Sequence, residues 1–115
     1  MILYHIVSEK EWQEARPAGI YRPSSLDTDG FIHCCTLQQV PGVGERYYKG
    51  VQGLLILSID TRRLTVECRY EDSHGDGDLF PHLYGPLPVE AVVKESPFSP
   101  DPDGLFVQAS VLLKG

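Results

Sequence analysis

Cysteine, methionine and tryptophan are scarce in this chain of 115 residues, at three, one and one, and no apolar run is long enough to cross a membrane. Cys34 and Cys35 are adjacent, which strains any bond between them, and the odd count leaves no disulfide framework. A reducing, cytoplasmic setting is therefore expected. Cations are also few: 10 Lys and Arg against 16 Asp and Glu give a formal net charge of −6. That balance argues against general nucleic-acid binding through an overall field, while leaving room for one small basic pocket. No secretory leader is expected, because the apolar start Ile2-Leu3 is broken by Tyr4 and His5, and Glu9 follows Val7 closely.

Several motifs are missing as well. Gly42-Val43-Gly44 begins a dinucleotide fingerprint but has Tyr47 where the third glycine belongs, and there is neither a P-loop nor a G-x-S-x-G elbow. The acidic run Asp72 to Asp78 imitates a calcium loop, yet Leu83 stands where the bidentate glutamate is needed, so a solvated loop is expected. What is present fits one domain over residues 1–115, long enough to bury a core without disulfide or metal staples.

The coarse reading is α+β. Ile2 to Val7 is short, apolar and β-rich, a strand. Ser8 and Glu11 form a capping box, and Val7 and Trp12 form a hydrophobic staple, so a helix starts at Ser8 and ends at Pro17 and Gly19. Gly19 to Asp29 reads as loop and Gly30 to Thr36 as a second strand. Thr36 and Gln39 make another capping box, opening a helix to Lys49 that Pro41, Gly42 and Gly44 weaken. Leu54 to Asp60 is apolar enough for a strand buried on both faces. Arg62 and Arg63 turn the chain into an alternating strand, Leu64 to Tyr70. Phe80 to Leu87 reads as a stiff, turn-rich segment, Val89 to Val93 as a strand, Ser96 to Gly104 as loop, and Leu105 to Leu113 as a final strand.

Chemistry is carried by histidines in apolar company. His5 lies within the first strand, sharing a face with Leu3 and Val7; His33 repeats the pattern beside Phe31 and Cys35. His82 and Tyr84 are the polar members of Phe80 to Leu87. Each histidine has a bland reading, since a core imidazole bonded to backbone avoids the ~1–3 kcal/mol cost of an unsatisfied buried donor. A metal-dependent hydrolase would place a metal on His33, Cys35 and His82, without a recognisable ligand spacing. Cys34 or Cys35 as a nucleophile competes with the usual reading of strand cysteines as small core residues. Glu71 and Glu90 are candidates for a carboxylate role, but each reads better as the exposed half of an alternating strand.

The blocks L-Y-H-I, G-I-Y-R-P-S-S-L, G-F-I-H-C-C and F-P-H-L-Y-G-P-L, with Trp12 in the first helix, resemble the bacterial family known as domain of unknown function 952. The resemblance runs from Ile2 to Val93, with Cys35 in place of the usual small residue. It implies an ADP-ribosyltransferase-like fold: split antiparallel sheets, two helices in the N-terminal half, and NAD bound as a substrate in a cleft between small sheets. The order of helix, glycine, loop and strand is similar to the RNA 2′-phosphotransferase branch of that fold. On this resemblance His5 takes the ribose, His33 sits in the second-strand motif, and Tyr21, Ser25 and Tyr84 contact nicotinamide or phosphate. Arg22 offers an anion site, and the third catalytic position falls to Glu90 or His82. The implied activity is transfer or hydrolysis at a ribosyl or phosphoryl group. The alternative is a small-ligand-binding module that has lost turnover.

Overall fold

The structure is a computed structural model that describes residues 1–98. Its three sheets are antiparallel throughout: β1 (Ile2–Ser8), β4 (Leu54–Asp60) and β8 (Val92–Phe98) in the order β1-β4-β8; β2 (Ile20–Tyr21) with β7 (Leu87–Pro88); and β3 (Ile32–His33), β6 (Phe80–Leu83) and β5 (Cys68–Glu71) in the order β3-β6-β5. The helices α1 (Glu9–Ala15), α2 (Ser25–Thr28) and α3 (Val40–Tyr47) all fall in the first half. None is long and apolar enough to cross a membrane. The described residues are thus α+β, with three helices in the first half where two were expected. The extra one, α2, is a single turn following Pro23, too short to show a helical period, and its Leu26 packs against the core.

The core follows from the first and fourth strands. All seven residues of β4 are buried, as its apolar run predicts. Its side chains divide by the period of two: Leu55, Leu57 and Ile59 enter one apolar cluster, Leu54 and Ile56 another. The strand β1 divides the same way, with Leu3 and Val7 in the first cluster and Tyr4 and Ile6 in the second. Both faces of β1 and β4 are therefore covered, whereas most of β8 is exposed. Ser8 caps α1 by accepting the Glu11 N–H at 3.1 Å, and Val7 and Trp12 join the same cluster, as the staple requires. The Thr36–Gln39 capping box is present too, opening a 3-10 turn over Leu37–Gln39 before α3 begins.

Elsewhere the local pattern misleads. Gly30 to Thr36 holds a ladder of two residues, Ile32–His33, plus a lone bridge from Cys35 to Tyr4. Leu64, Val66 and Cys68 do face inward, but pairing starts only at Cys68, and Tyr70 is exposed. The stiff segment Phe80 to Leu87 contains β6, the centre of its sheet, with Pro81 on it, and then β7. Val89–Ala91 is a 3-10 turn, and β8 runs on to Phe98 through residues read as loop. In each case partners distant in sequence decide what is strand, and local propensity is overridden. The strand predicted at 105–113 lies outside the described residues.

Gly85 marks a close approach between segments. A Cβ there would sit 2.6 Å from Cγ1 of Val66, whose short branched side chain cannot swing away. Gly85→Ala is expected to destabilise the fold by ~1–3 kcal/mol. Val66→Ala in the same background should recover a large part of that loss, a coupling readable by urea unfolding of the two single variants and the double variant.

Candidate functional site

A cleft of about 560 Å³ is lined by Tyr4 to Ser8 of β1, by His33 to Cys35, and by Glu11, Tyr21 and Ser25. Its remaining wall is largely aromatic, from Tyr47, Tyr48 and Phe80, with Ser73, His74 and His82 at the polar end. Among the described residues, neither lysine nor arginine lines it. Two hydrogen-bonded groups of side chains border this space.

The first group begins at His5. The backbone carbonyl of His33 can only accept, so His5 Nδ1 carries a proton and donates it across 2.6 Å. His5 Nε2 lies 2.9 Å from the Tyr21 hydroxyl, which in turn lies 3.2 Å from Oε2 of Glu11. Burial holds the His5 imidazole down at about 4, its bond to the His33 carbonyl partly opposing that, so the ring is neutral at pH 7. Burial, then the charge and hydrogen bond of Glu11, push the Tyr21 phenol up. Three contacts along this relay need three protons, and neutral His5 with Tyr21 supplies two. With Glu11 as a carboxylate, the Tyr21 proton has two acceptors, and one added proton would satisfy the whole chain.

The second group centres on His82, which is 2% exposed. Its ring stacks on Phe31 at 3.9 Å and 13°, and His33 meets it edge-on at 5.5 Å. Nδ1 lies 2.9 Å from Oε1 of Glu71, and Nε2 lies 3.3 Å from Oγ of Ser73. Glu71 Oε1 also accepts the Tyr84 hydroxyl. The Tyr84 and His82 hydrogen bonds hold the Glu71 carboxyl below its usual range, so it is ionised at pH 7. His33 is exposed and makes its own carboxylate contact, Nε2 to Asp29 Oδ2 at 2.8 Å.

The comparisons with known proteins enter at this point. Residues 6–95 match the family model described as protein of unknown function (DUF952). The chain belongs to this family. The crystal structure of protein CC0527 from Caulobacter crescentus is similar over 98% of this chain and 99% of that one, with 31% identity and a TM-score of 0.84. A crystal structure of a double mutant of CC0527 is 30% identical, with the same coverage and TM-score. The solution structure of CC0527 is 31% identical with a TM-score of 0.82, over 99% of this chain and 98% of that one. No curated protein matches the chain.

Within this DUF952 domain the residues singled out from sequence are sorted by the fold. His5, Tyr21, Ser25, His33 and His82 all line the cleft. Tyr84 does not, but reaches His82 through Glu71. Arg22 is exposed, lies 3.6 Å from Asp27 and is not part of the lining, so it supplies no anion site in the cleft. Glu90 sits in the 3-10 turn before β8, with its carbonyl accepting from Arg63, and is likewise outside the cleft. Of these two residues, His82 lines the cleft and Glu90 does not. Among the described residues no three His, Cys, Asp or Glu side chains are grouped to hold a metal ion, so His33, Cys35 and His82 do not form one. Burial raises Cys35 to about 12 and Cys34 well above its ordinary value, leaving both as thiols rather than nucleophiles.

One residue escaped the sequence reading, and another was set aside by it. Glu11 was accounted for by the capping box, yet its carboxylate turns to Tyr21 and only its N–H serves the cap. Glu71, a carboxylate candidate set aside as the exposed half of a strand, is brought to His82 because β5 and β6 pair so that Glu71 opposes Phe80, one diagonal step away. Nothing local signals that register.

The neutral His5 has a consequence for stability. In the unfolded chain its pKa is ~6.5, so between about pH 6.5 and 4 the unfolded state binds a proton that the folded state refuses. This group therefore costs nothing above that window, and its destabilising effect grows as pH falls through it, to ~3 kcal/mol at the lower end. His5→Gln should flatten this part of the pH profile relative to wild type, as measured by urea unfolding from pH 7.5 to 4.

Proposed function

We propose that this DUF952 domain is an ADP-ribosyltransferase-like domain whose cleft takes NAD, or a related nucleotide, by its nicotinamide riboside end. The observation that carries this reading is the cleft's composition among the described residues: an aromatic wall, a single carboxylate bonded to Tyr21, and no lysine or arginine. Such a lining suits a flat cationic ring better than a phosphate, because aromatic faces and a neighbouring carboxylate both favour positive charge. Oxidised nicotinamide is that kind of ring. The ribose beside it meets the Tyr21 hydroxyl, which His5 and Glu11 hold in place. His5 itself has both ring nitrogens engaged within the protein, so it orients Tyr21 more than it reaches the ligand. Cleavage of the nicotinamide–ribose bond develops positive charge on the ribose, and the Tyr21–Glu11 pair is placed to stabilise it.

The alternative, a binding module without turnover, is favoured by one feature. The carboxylates Glu11 and Glu71 are each hydrogen-bonded within the protein, to Tyr21 and to His82 with Tyr84. Calorimetric titration with oxidised NAD, reduced NAD, ADP-ribose and nicotinamide separates the possibilities. Oxidised NAD should bind more tightly than reduced NAD by roughly tenfold, and Glu11→Gln should remove most of that preference while the protein stays folded. Release of nicotinamide from the same sample would support turnover; saturable binding without it supports the module. Absence of binding by all four ligands overturns the proposal.

A further inference from the structure

The polar end of the cleft holds a second arrangement that the nucleotide reading does not use. The carboxylate of Glu71 faces His82 Nδ1 at 2.9 Å, and the hydroxyl of Ser73 faces His82 Nε2 at 3.3 Å. We propose that Ser73, His82 and Glu71 form a nucleophile–base–orienter set that transfers acyl groups from small apolar or aromatic carboxylic esters to water.

The proton positions follow from the partners. Glu71 is an acceptor, so the single proton of a neutral His82 sits on Nδ1, and the Nε2 lone pair is left for the Ser73 O–H. That is the tautomer a general base needs. The ring cannot easily turn away, since Phe31 covers one face at 3.9 Å and the Tyr84 hydroxyl fixes the carboxylate that fixes the ring. His82 is buried while Ser73 is exposed and lines the cleft, so the nucleophile meets substrate and its base is screened from water. The loop that carries Ser73 is held from within: the Asp72 carboxylate accepts the N–H groups of His74, Gly75, Asp76 and Gly77. The backbone N–H of Ser73 itself makes no hydrogen bond among the described residues and is the donor left for an oxyanion.

In the first half-reaction Ser73 Oγ attacks the ester carbonyl carbon and its proton passes to His82 Nε2. The carbonyl π pair moves onto oxygen. On collapse the bond from carbon to the alkoxy oxygen breaks, and the departing alcohol takes the proton from Nε2. Water repeats the sequence on the acyl-Ser73 ester, releasing the carboxylic acid and restoring the serine. The aromatic side chains Tyr47, Tyr48 and Phe80 along the cleft favour an apolar or aromatic acyl group.

A fluorophosphonate probe tests this directly, because it phosphonylates an activated serine irreversibly and has no use for NAD. The purified chain should gain one adduct by intact mass, mapping to Ser73, and should hydrolyse p-nitrophenyl butyrate. Ser73→Ala, a change on an exposed loop, should abolish both. Glu71→Gln should slow labelling about 100-fold, with the far-UV circular dichroism and unfolding midpoint confirming that the variant is folded. A folded wild-type chain that takes no label, or a label that persists in Ser73→Ala, overturns the proposal. Labelling unaffected in folded Glu71→Gln overturns the part assigned to the carboxylate and His82.

Discussion

The bond from His5 Nδ1–H to the His33 carbonyl, at 2.6 Å, is the contact around which the site is organised. It joins β1, in the sheet that carries the core, to β3, at the edge of the sheet that carries His82. Beside it the paired hydrogen bonds of Tyr4 and Cys35, both 2.8 Å, tie the same two segments through their backbones. Together these contacts set where one sheet lies relative to the other, and the cleft is lined from both. A buried imidazole is an expensive way to make such a joint, because it must stay neutral against its ordinary tendency to protonate below pH 6.5. An apolar residue would pack as well but would leave the His33 carbonyl without this donor.

From that joint the two polar groups diverge. His5 directs Tyr21 and Glu11 along one side of the cleft, while β3, placed by the same bond, brings His33 edge-on to His82. Both groups follow one design: a histidine with each nitrogen assigned, a carboxylate at one end and a hydroxyl in the chain. They differ in who holds the free proton site. Around His5 the carbonyl takes Nδ1 and a phenol meets Nε2; around His82 the carboxylate takes Nδ1 and a serine hydroxyl meets Nε2. The first is neutral through burial, and the second is paired directly with an ionised glutamate.

The glutamates show why the site was only half legible. Ser8-x-x-Glu11 is a local signal for a helix start, and the cap it predicts is there. Helix geometry then leaves the Glu11 side chain free to go elsewhere, and only the fold brings Tyr21 within reach. Glu71 needs the register of β5 on β6, set by pairing across the acidic loop between them. By contrast Arg22 and Glu90 stood at suggestive places along the chain, and neither is part of the cleft lining.

Read from sequence alone, the α+β class, the cap and staple of α1, the buried β4, the capping box before α3 and the histidines in apolar strands were all accessible. Each rests on interactions within a few residues or on a period of two, which the order of side chains encodes directly. The tertiary structure decided the short strands β2, β3 and β7, the partners of His5 and His82, and which of the described residues line the cleft. These depend on segments separated by tens of residues, whose register and facing are set by burial of the whole core and are not written in any local stretch.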